Sequence, residues 1–87
     1  KMIKVYESNY CPYCIRAKDY LDLLGIEYES VNIQKDTEAR DFFLQGGYRT
    51  VPQMFVNDKL LCEDGSDGLV RMTKEEIQNK ILELSKA

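Results

Sequence analysis

Residues 2–24 read MIKVYESNYCPYCIRAKDYLDLL, and they contain a predicted strand, a turn with two cysteines and a predicted helix. Apolar side chains alternate with a lysine over residues 2–6, which is typical of a strand. Over residues 12–24 the apolar side chains recur at steps of three and four, so they share one face of a helix. Gly25 follows and favours the left-handed conformation that ends a helix. The stretch therefore predicts a strand that leads through the cysteines into a helix.

The middle of the chain predicts a second strand and a second helix. Residues 27–33 are rich in strand formers and follow the first helix after a short break, which favours a strand parallel to the first one. Asp36 or Thr37 then provides the cap of a second helix, and Gly46 with Gly47 ends it. The first strand, the first helix and this second strand are therefore predicted to form a parallel strand–helix–strand unit.

The last part of the chain predicts a hairpin, a loop and a final helix. Residues 54–56 and 59–62 are predicted strands joined by a two-residue turn. Residues 63–68 read EDGSDG, and this composition predicts a loop. Thr73 and Glu76 form a capping box ahead of an amphipathic helix. The order β-α-β-α-β-β-α predicts an α/β fold in which three helices flank a mixed four-stranded sheet.

Composition limits both the size of the protein and its chemistry. The 87 residues are expected to form a single domain, residues 1–87, without repeats or linkers. The sequence has no histidine, which excludes Ser-His-Asp and Cys-His catalysis and every His-ligated metal site. The net charge of −3 disfavours a nucleic-acid partner, which would require a surplus of basic residues.

The sequence shows neither a membrane anchor nor a targeting signal. No apolar run approaches the length of a membrane span, and the first residues lack the zones of a signal peptide. We therefore expect a cytoplasmic protein with no membrane partner. No large unbroken apolar face is predicted either, so we expect a monomer.

The two cysteines of residues 11–14, CPYC, lie where the first strand meets the first helix. Cys11 is expected at the helix start, where unpaired N–H groups and the helix dipole favour a thiolate and lower the pKa of the thiol. Cys14 lies one turn further on and faces inward. We therefore expect Cys11 to attack a disulfide and Cys14 to resolve the mixed disulfide that results. Tyr13 offers a ring against which a peptide-like thiol can lie.

Other interpretations of the cysteines remain open at this point. A CxxC pair can be half of a zinc site, but such a site needs two further ligands and only Cys62 is left as a thiol. We therefore expect no metal. Cys62 belongs to an apolar run and is expected to pack as a small hydrophobic residue, with a regulatory or third redox thiol as the alternative.

A second feature is the proline that precedes the third strand. Pro52 follows Thr50 and Val51, and a proline at this position has either a cis peptide bond or an ordinary trans bond that starts the strand. In the cis case the backbone N–H and C=O of Val51 point outward near the cysteines. An extended peptide that contains a cysteine can then pair with that backbone.

Three motifs together resemble one family of redox proteins. CPYC follows the first strand, TVPQMFV occupies residues 50–56, and DGSD at residues 64–67 follows the hairpin. In this combination they resemble the glutaredoxin family over nearly the whole chain. The resemblance implies the thioredoxin fold, a cis bond before Pro52 and glutathione as the reducing co-substrate.

The resemblance also implies where glutathione binds. The backbone of Val51 pairs with the cysteinyl part of glutathione, and Tyr13 flanks it. Ser66 and Asp67 hold the γ-glutamyl end, with Asp67 facing its ammonium group and nearby backbone N–H groups facing its carboxylate.

Two departures from the family affect this site. Ser8 stands where many members of the family have a lysine, and Glu63 with Asp64 adds acidity that repels the glutathione carboxylates. Arg49 is the nearest cationic substitute for holding the glycyl carboxylate, with Arg40 and Gln45 as weaker candidates. The predicted site therefore consists of Cys11 and Cys14 for catalysis and, for glutathione, Tyr13, Arg49, Thr50, Val51, Pro52, Ser66 and Asp67.

The expected activity is reduction of protein disulfides and of protein–glutathione mixed disulfides by glutathione. Disulfide-containing and glutathionylated proteins are the expected partners, and ribonucleotide reductase is one that the resemblance suggests. Residues 47–49 also resemble redoxins that are reduced by thioredoxin reductase, which is the first alternative. An iron–sulfur cluster carrier, as found among some glutaredoxins, is the alternative from another functional class.

Overall fold

The computed structural model describes residues 2–86. Eight elements follow one another along this part of the chain. They are β1 (Ile3–Glu7), α1 (Pro12–Leu24), β2 (Tyr28–Asn32), α2 (Thr37–Gln45), β3 (Gln53–Val56), β4 (Lys59–Leu60), α3 (Gly65–Val70) and α4 (Lys74–Ser85). None of the helices in the described part is long and apolar enough to cross a membrane.

The four strands form one mixed sheet in the order β2-β1-β3-β4. β1 runs parallel to β2, whereas β3 runs antiparallel to both β1 and β4. The sheet and its connections are therefore as predicted. Tyr6 pairs with Gln53, so the end of β1 that leads to the cysteines lies beside the start of β3. This register is what brings Pro52 close to Cys11.

Alternation along β1 divides the core between the two faces of the sheet. Ile3 and Val5 point to one face, where they pack with α1, α3 and α4. Tyr6 points to the other face and packs with Phe43 of α2 and Phe55 of β3. Its ring stacks on Phe43 with centroids 6.1 Å apart. Helices cover both faces of the sheet. The carboxyl end of β1, which leads to the cysteines, lies at the end of the sheet.

Three of the predicted helix boundaries are confirmed. Gly25 ends α1 in the left-handed conformation with φ of 70°. Asp36 caps α2, because its Oδ1 accepts a hydrogen bond of 3.0 Å from the N–H of Ala39. Thr73 and Glu76 form the predicted capping box at the start of α4.

The prediction of three helices was wrong, because residues 2–86 contain four. Residues 63–68 were expected to form a loop, yet α3 occupies Gly65–Val70. Composition misleads here because burial of Leu69, which is 0% exposed, holds the segment against the core. The fourth strand is also shorter than the predicted 59–62, since β4 comprises only Lys59–Leu60.

Candidate functional site

Cys11 and Cys14 form a disulfide at the start of α1, with their Cα atoms 5.2 Å apart. Cys11 is the N-cap residue of α1, and its Sγ accepts a hydrogen bond of 3.1 Å from the N–H of Cys14. Cys14 is only 1% exposed, whereas Cys11 is half-buried. An incoming thiol therefore reaches Sγ of Cys11 first. In the reduced protein the same N–H donor faces the negative charge of a Cys11 thiolate.

Backbone from the start of β3 lies next to the disulfide. The peptide bond between Val51 and Pro52 is cis, which confirms the conformation that the resemblance implied. The carbonyl oxygen of Val51 is 3.9 Å from Sγ of Cys11. The main chain of a bound peptide can therefore meet that of Val51 within reach of the reactive sulfur.

An open cleft of about 610 Å³ lies beside Tyr13 and the cis peptide bond. This volume is within the range of small-molecule sites in proteins. The cleft brings together six of the seven side chains predicted to bind glutathione, which are Tyr13, Thr50, Val51, Pro52, Ser66 and Asp67. Arg49 is exposed and does not belong to the lining. The structure therefore does not place Arg49 with the other predicted residues.

The cleft also includes residues that the sequence analysis did not single out. They are Gln53, Asp64, Gly65 and Arg71. Gly65 has φ of +55°, and a Cβ at this position would lie 2.9 Å from the carbonyl oxygen of Pro52. Only glycine lets the start of α3 approach the cis peptide bond this closely.

Arginine side chains pair with both aspartates of this segment. Nη1 of Arg16 lies 2.5 Å from Oδ1 of Asp67, and Nη1 of Arg71 lies 3.8 Å from Oδ2 of Asp64. The predicted repulsion of carboxylates by this acidic segment is therefore offset in part. Arg16 was missed because its partner is 51 residues away in sequence. The available signal was its position three residues after Tyr13, on the same face of α1.

The turn before Cys11 is held to the end of β2. The N–H of Asn9 donates a hydrogen bond of 2.7 Å to Oε1 of Gln34, and Nδ2 of Asn32 donates one of 2.9 Å to Oδ1 of Asn9. Tyr10 follows with a positive φ of 54° and a fully exposed side chain. These contacts fix the direction in which the chain enters the cysteine motif.

The lysine that the family often has at residue 8 has no obvious replacement in the neighbouring part of α1. Lys18 lies one turn after Cys14, but its Nζ is 2.7 Å from Oε1 of Glu7. The Glu7 side chain is 12% exposed, so this ion pair is largely shielded from solvent. Within the described residues Lys18 is therefore engaged in tying α1 to the end of β1.

Cys62 packs beneath α3 as the third cysteine. Its side chain is half-buried against the core, and its Sγ lies 3.9 Å from the carbonyl oxygen of Gly65. Burial, with a smaller contribution from the charge of Asp64, raises the pKa of the Cys62 thiol to about 11. Among residues 2–86, no three Cys, Asp or Glu side chains gather as they would around a metal ion.

We expect Cys62 to resist alkylation in the reduced protein at pH 8. With a pKa of about 11, roughly one thiol in a thousand is ionised at this pH, and only the thiolate reacts. Because the pKa is raised, the rate should increase about tenfold for each pH unit up to about pH 10 and level off above pH 11. Mass spectrometry after timed iodoacetamide treatment should show Cys11 modified long before Cys62. Equal rates at the two sites would show that Cys62 is not shielded as described.

Comparisons of sequence identify relatives over most of the chain. The family model described as Glutaredoxin matches residues 3–61. Glutaredoxin 1 of Rickettsia conorii is 38% identical over 84 residues, which cover 93% of this chain and 80% of that protein. A probable glutaredoxin of Synechocystis is 35% identical over 66 residues, covering 71% of this chain and 75% of that protein.

Comparisons of structure lead to the same fold. The solution structure of a glutaredoxin from Brucella melitensis matches with a TM-score of 0.69 and 28% identity, over 99% of this chain and 92% of that one. A crystal structure of a buckwheat glutaredoxin–glutathione complex matches with a TM-score of 0.65 and 24% identity, over 94% and 74% of the two chains. These likenesses confirm the predicted thioredoxin fold.

Proposed function

The chain belongs to the glutaredoxin family of thiol-disulfide oxidoreductases, and we propose that glutathione is the thiol that reduces it. The observation that carries the proposal is the cleft beside Cys11. It gathers six of the predicted glutathione residues around a backbone carbonyl that is 3.9 Å from the reactive sulfur. The buckwheat relative in complex with glutathione has the same fold, which is consistent with this use of the cleft.

Glutathione has three parts, and the cleft offers a surface to two of them. Its cysteinyl backbone pairs with Val51, which directs its sulfur toward Cys11, and Tyr13 lies alongside. The γ-glutamyl end extends toward α3, where the carboxylate of Asp67 binds the ammonium group. Backbone N–H groups near Ser66 bind the α-carboxylate of the same end.

The dithiol reaction begins when the Cys11 thiolate attacks a protein disulfide. A bond forms between Cys11 and one substrate sulfur, and the other substrate sulfur leaves as a thiolate that takes up a proton. Cys14 then loses its proton and attacks Sγ of Cys11, which releases the second substrate thiol. The products are a reduced substrate and the Cys11–Cys14 disulfide that the structure contains.

Two glutathione molecules return the protein to its reduced form. The thiolate of the first attacks Sγ of Cys11, which releases the Cys14 thiolate to be protonated. The thiolate of the second attacks the glutathione sulfur on Cys11, which yields oxidised glutathione and the Cys11 thiolate. The protein disulfide thus gains two electrons, and two glutathione molecules supply them.

A glutathionylated protein requires only Cys11. Its thiolate attacks the glutathione sulfur of the mixed disulfide, and the protein thiol leaves. A second glutathione then removes the first from Cys11 as oxidised glutathione. We place these reactions in the cytoplasm, where the glutathione pool is reducing, and assign them to a monomer. Ribonucleotide reductase, which the family resemblance suggests, is one proposed protein partner.

Two reduction systems, run in parallel, test this proposal. We expect NADPH to be consumed with a small glutathione mixed disulfide when glutathione and glutathione reductase are present. With thioredoxin reductase alone we expect less than about a tenth of that rate, because a glutathione site is what selects the reductant. Turnover only with thioredoxin reductase would reject glutathione as the reductant. A control without the protein corrects for the direct reaction of glutathione with the substrate.

A further inference from the structure

The ion pair between Arg16 and Asp67 joins α1 to α3 at the edge of the cleft. Nη1 of Arg16 is 2.5 Å from Oδ1 of Asp67, and the two side chains are 47% and 58% exposed. Asp67 lines the cleft, as does Tyr13, which precedes Arg16 by one helical turn. Arg16 itself does not line the cleft, but its guanidinium lies beside the carboxylate of Asp67, so a ligand group that reaches Asp67 comes close to both members of the ion pair.

Each member of the ion pair has hydrogen-bonding capacity left over. In the part of the chain that the structure describes, the pair is joined through one nitrogen and one oxygen. A guanidinium group has five N–H donors, and a carboxylate has a second oxygen. The remaining donors of Arg16 and the remaining oxygen of Asp67 are close together and opposite in charge.

A zwitterionic α-amino acid group complements such a pair. Its ammonium and carboxylate are attached to one carbon, so each can face the protein group of opposite charge and the four charges alternate. We propose that Arg16 is a specificity-determining residue that binds the α-carboxylate of the γ-glutamyl group while Asp67 binds its ammonium. The inference rests on the proposed use of glutathione and adds a side-chain partner for one charge of that ligand.

Charge balance around α3 supports this assignment. Asp64 and Asp67 both line the cleft, and their negative charges repel a carboxylate. Arg71 lies 3.8 Å from Asp64, and both side chains are more than 70% exposed, at 72% and 73%. Solvent weakens so exposed and distant a pair. Arg71 lines the cleft but faces Asp64, whereas Arg16, outside the lining, is the arginine that pairs with Asp67 and offsets its charge.

The test measures KM and kcat for three thiols. The first is glutathione; γ-aminobutyryl-Cys-Gly lacks the α-carboxylate, and glutaryl-Cys-Gly lacks the α-ammonium. Product disulfides are quantified by chromatography, so no coupling enzyme has to accept the analogues. The variants are Arg16→Gln and Arg16→Lys, and Asp67→Asn serves as the partner variant. Lys59→Gln is the control, because it removes one positive charge from the opposite end of the sheet.

We expect Arg16→Gln to raise KM for glutathione about tenfold and to change kcat less than about twofold. The same variant should leave KM for γ-aminobutyryl-Cys-Gly within about twofold of wild type, because the carboxylate is already missing. Arg16→Lys keeps the charge without the forked donors, so its KM should lie between those of Arg16→Gln and wild type. Asp67→Asn should show the corresponding pattern with glutaryl-Cys-Gly.

Two results would overturn the role of Arg16 and leave glutathione dependence intact. A lower KM for glutathione in Arg16→Gln would show that Arg16 competes with the ligand for Asp67. An equal rise of KM for glutathione and for γ-aminobutyryl-Cys-Gly would show that Arg16 only positions its neighbours. If wild type treats all three thiols alike, the γ-glutamyl site is absent, and the proposed glutathione site fails together with the inference.

Discussion

Cys11→Ser is expected to lose all thiol-disulfide exchange activity, whereas Cys14→Ser is expected to lose only the dithiol part. A serine hydroxyl does not ionise near neutral pH and cannot form the mixed disulfide, so rates should fall at least about a thousandfold without Cys11. Cys14→Ser keeps the exposed nucleophile and should remove glutathione from glutathionylated proteins within about threefold of the wild-type rate. Its reduction of protein disulfides should stop at the mixed disulfide between Cys11 and the substrate, because no second cysteine resolves it.

The difference in burial between the two sulfurs is the physical basis of this prediction. Cys14 is 1% exposed and Cys11 is half-buried, so a protein substrate reaches the sulfur of Cys11 much more easily than that of Cys14. The measurements are insulin reduction for the dithiol activity and release of labelled glutathione from a glutathionylated protein for the other. Cys62→Ser is the matched control and should retain both activities. Residual turnover by Cys11→Ser in either assay would reverse the assignment of the two roles.

Much of the fold could be predicted because local signals and the topology agree. The alternation in β1, the caps at Asp36 and Thr73 and the glycine after α1 each specify an element on their own. The parallel arrangement of β1 and β2 then follows from the helix between them. Boundaries differed by a residue or two, as they do where hydrogen bonding frays at the end of an element.

The third helix could not be predicted, because most of its residues disfavour a helix and Leu69 is its one strong helix former. Glycine at residues 65 and 68 lowers helix propensity, and Asp64, Ser66 and Asp67 are turn formers. The segment is helical because Leu69 reaches the core and because two glycines allow close backbone contacts. Those contacts involve Pro52 and Glu63, and the contact with Pro52 depends on the completed sheet.

The candidate site was predictable where its residues lie in motifs and was missed where it depends on tertiary pairing. Cys11, Tyr13 and Val51 could be found because each lies in a short motif with a known geometry. Arg49 was selected because it lies near the motif in sequence, yet it is exposed outside the cleft. Arg16 does not line the cleft either, but it contacts Asp67 of the lining because the fold places α1 beside α3. Proximity in sequence is therefore a poor guide to the charges around a cleft.

Gly68→Ala is expected to be the most destabilising single methyl addition in α3. A Cβ at residue 68 would overlap the carbonyl oxygen of Glu63, and both are parts of the main chain that cannot swing aside as a side chain can. We expect the free energy of unfolding to fall by about 3 kcal/mol, at the upper end of the cost of overpacking. This is a large fraction of the stability of a domain of this size. Urea denaturation followed by circular dichroism measures it.

The same substitution at Gly25 separates steric overlap from backbone strain. Gly25 has φ of +70° but no atom within 4 Å of an added Cβ, so Gly25→Ala should cost only about 1 kcal/mol.

Gly68→Ala should also raise KM for glutathione, because Ser66 and Asp67 must shift when α3 moves away from Glu63. Gly25→Ala should leave that KM unchanged, since it lies at the far end of α1. Equal destabilisation by the two variants would mean that α3 moves freely, and a cleft built on it would then lack the fixed geometry that selective binding of a γ-glutamyl group requires.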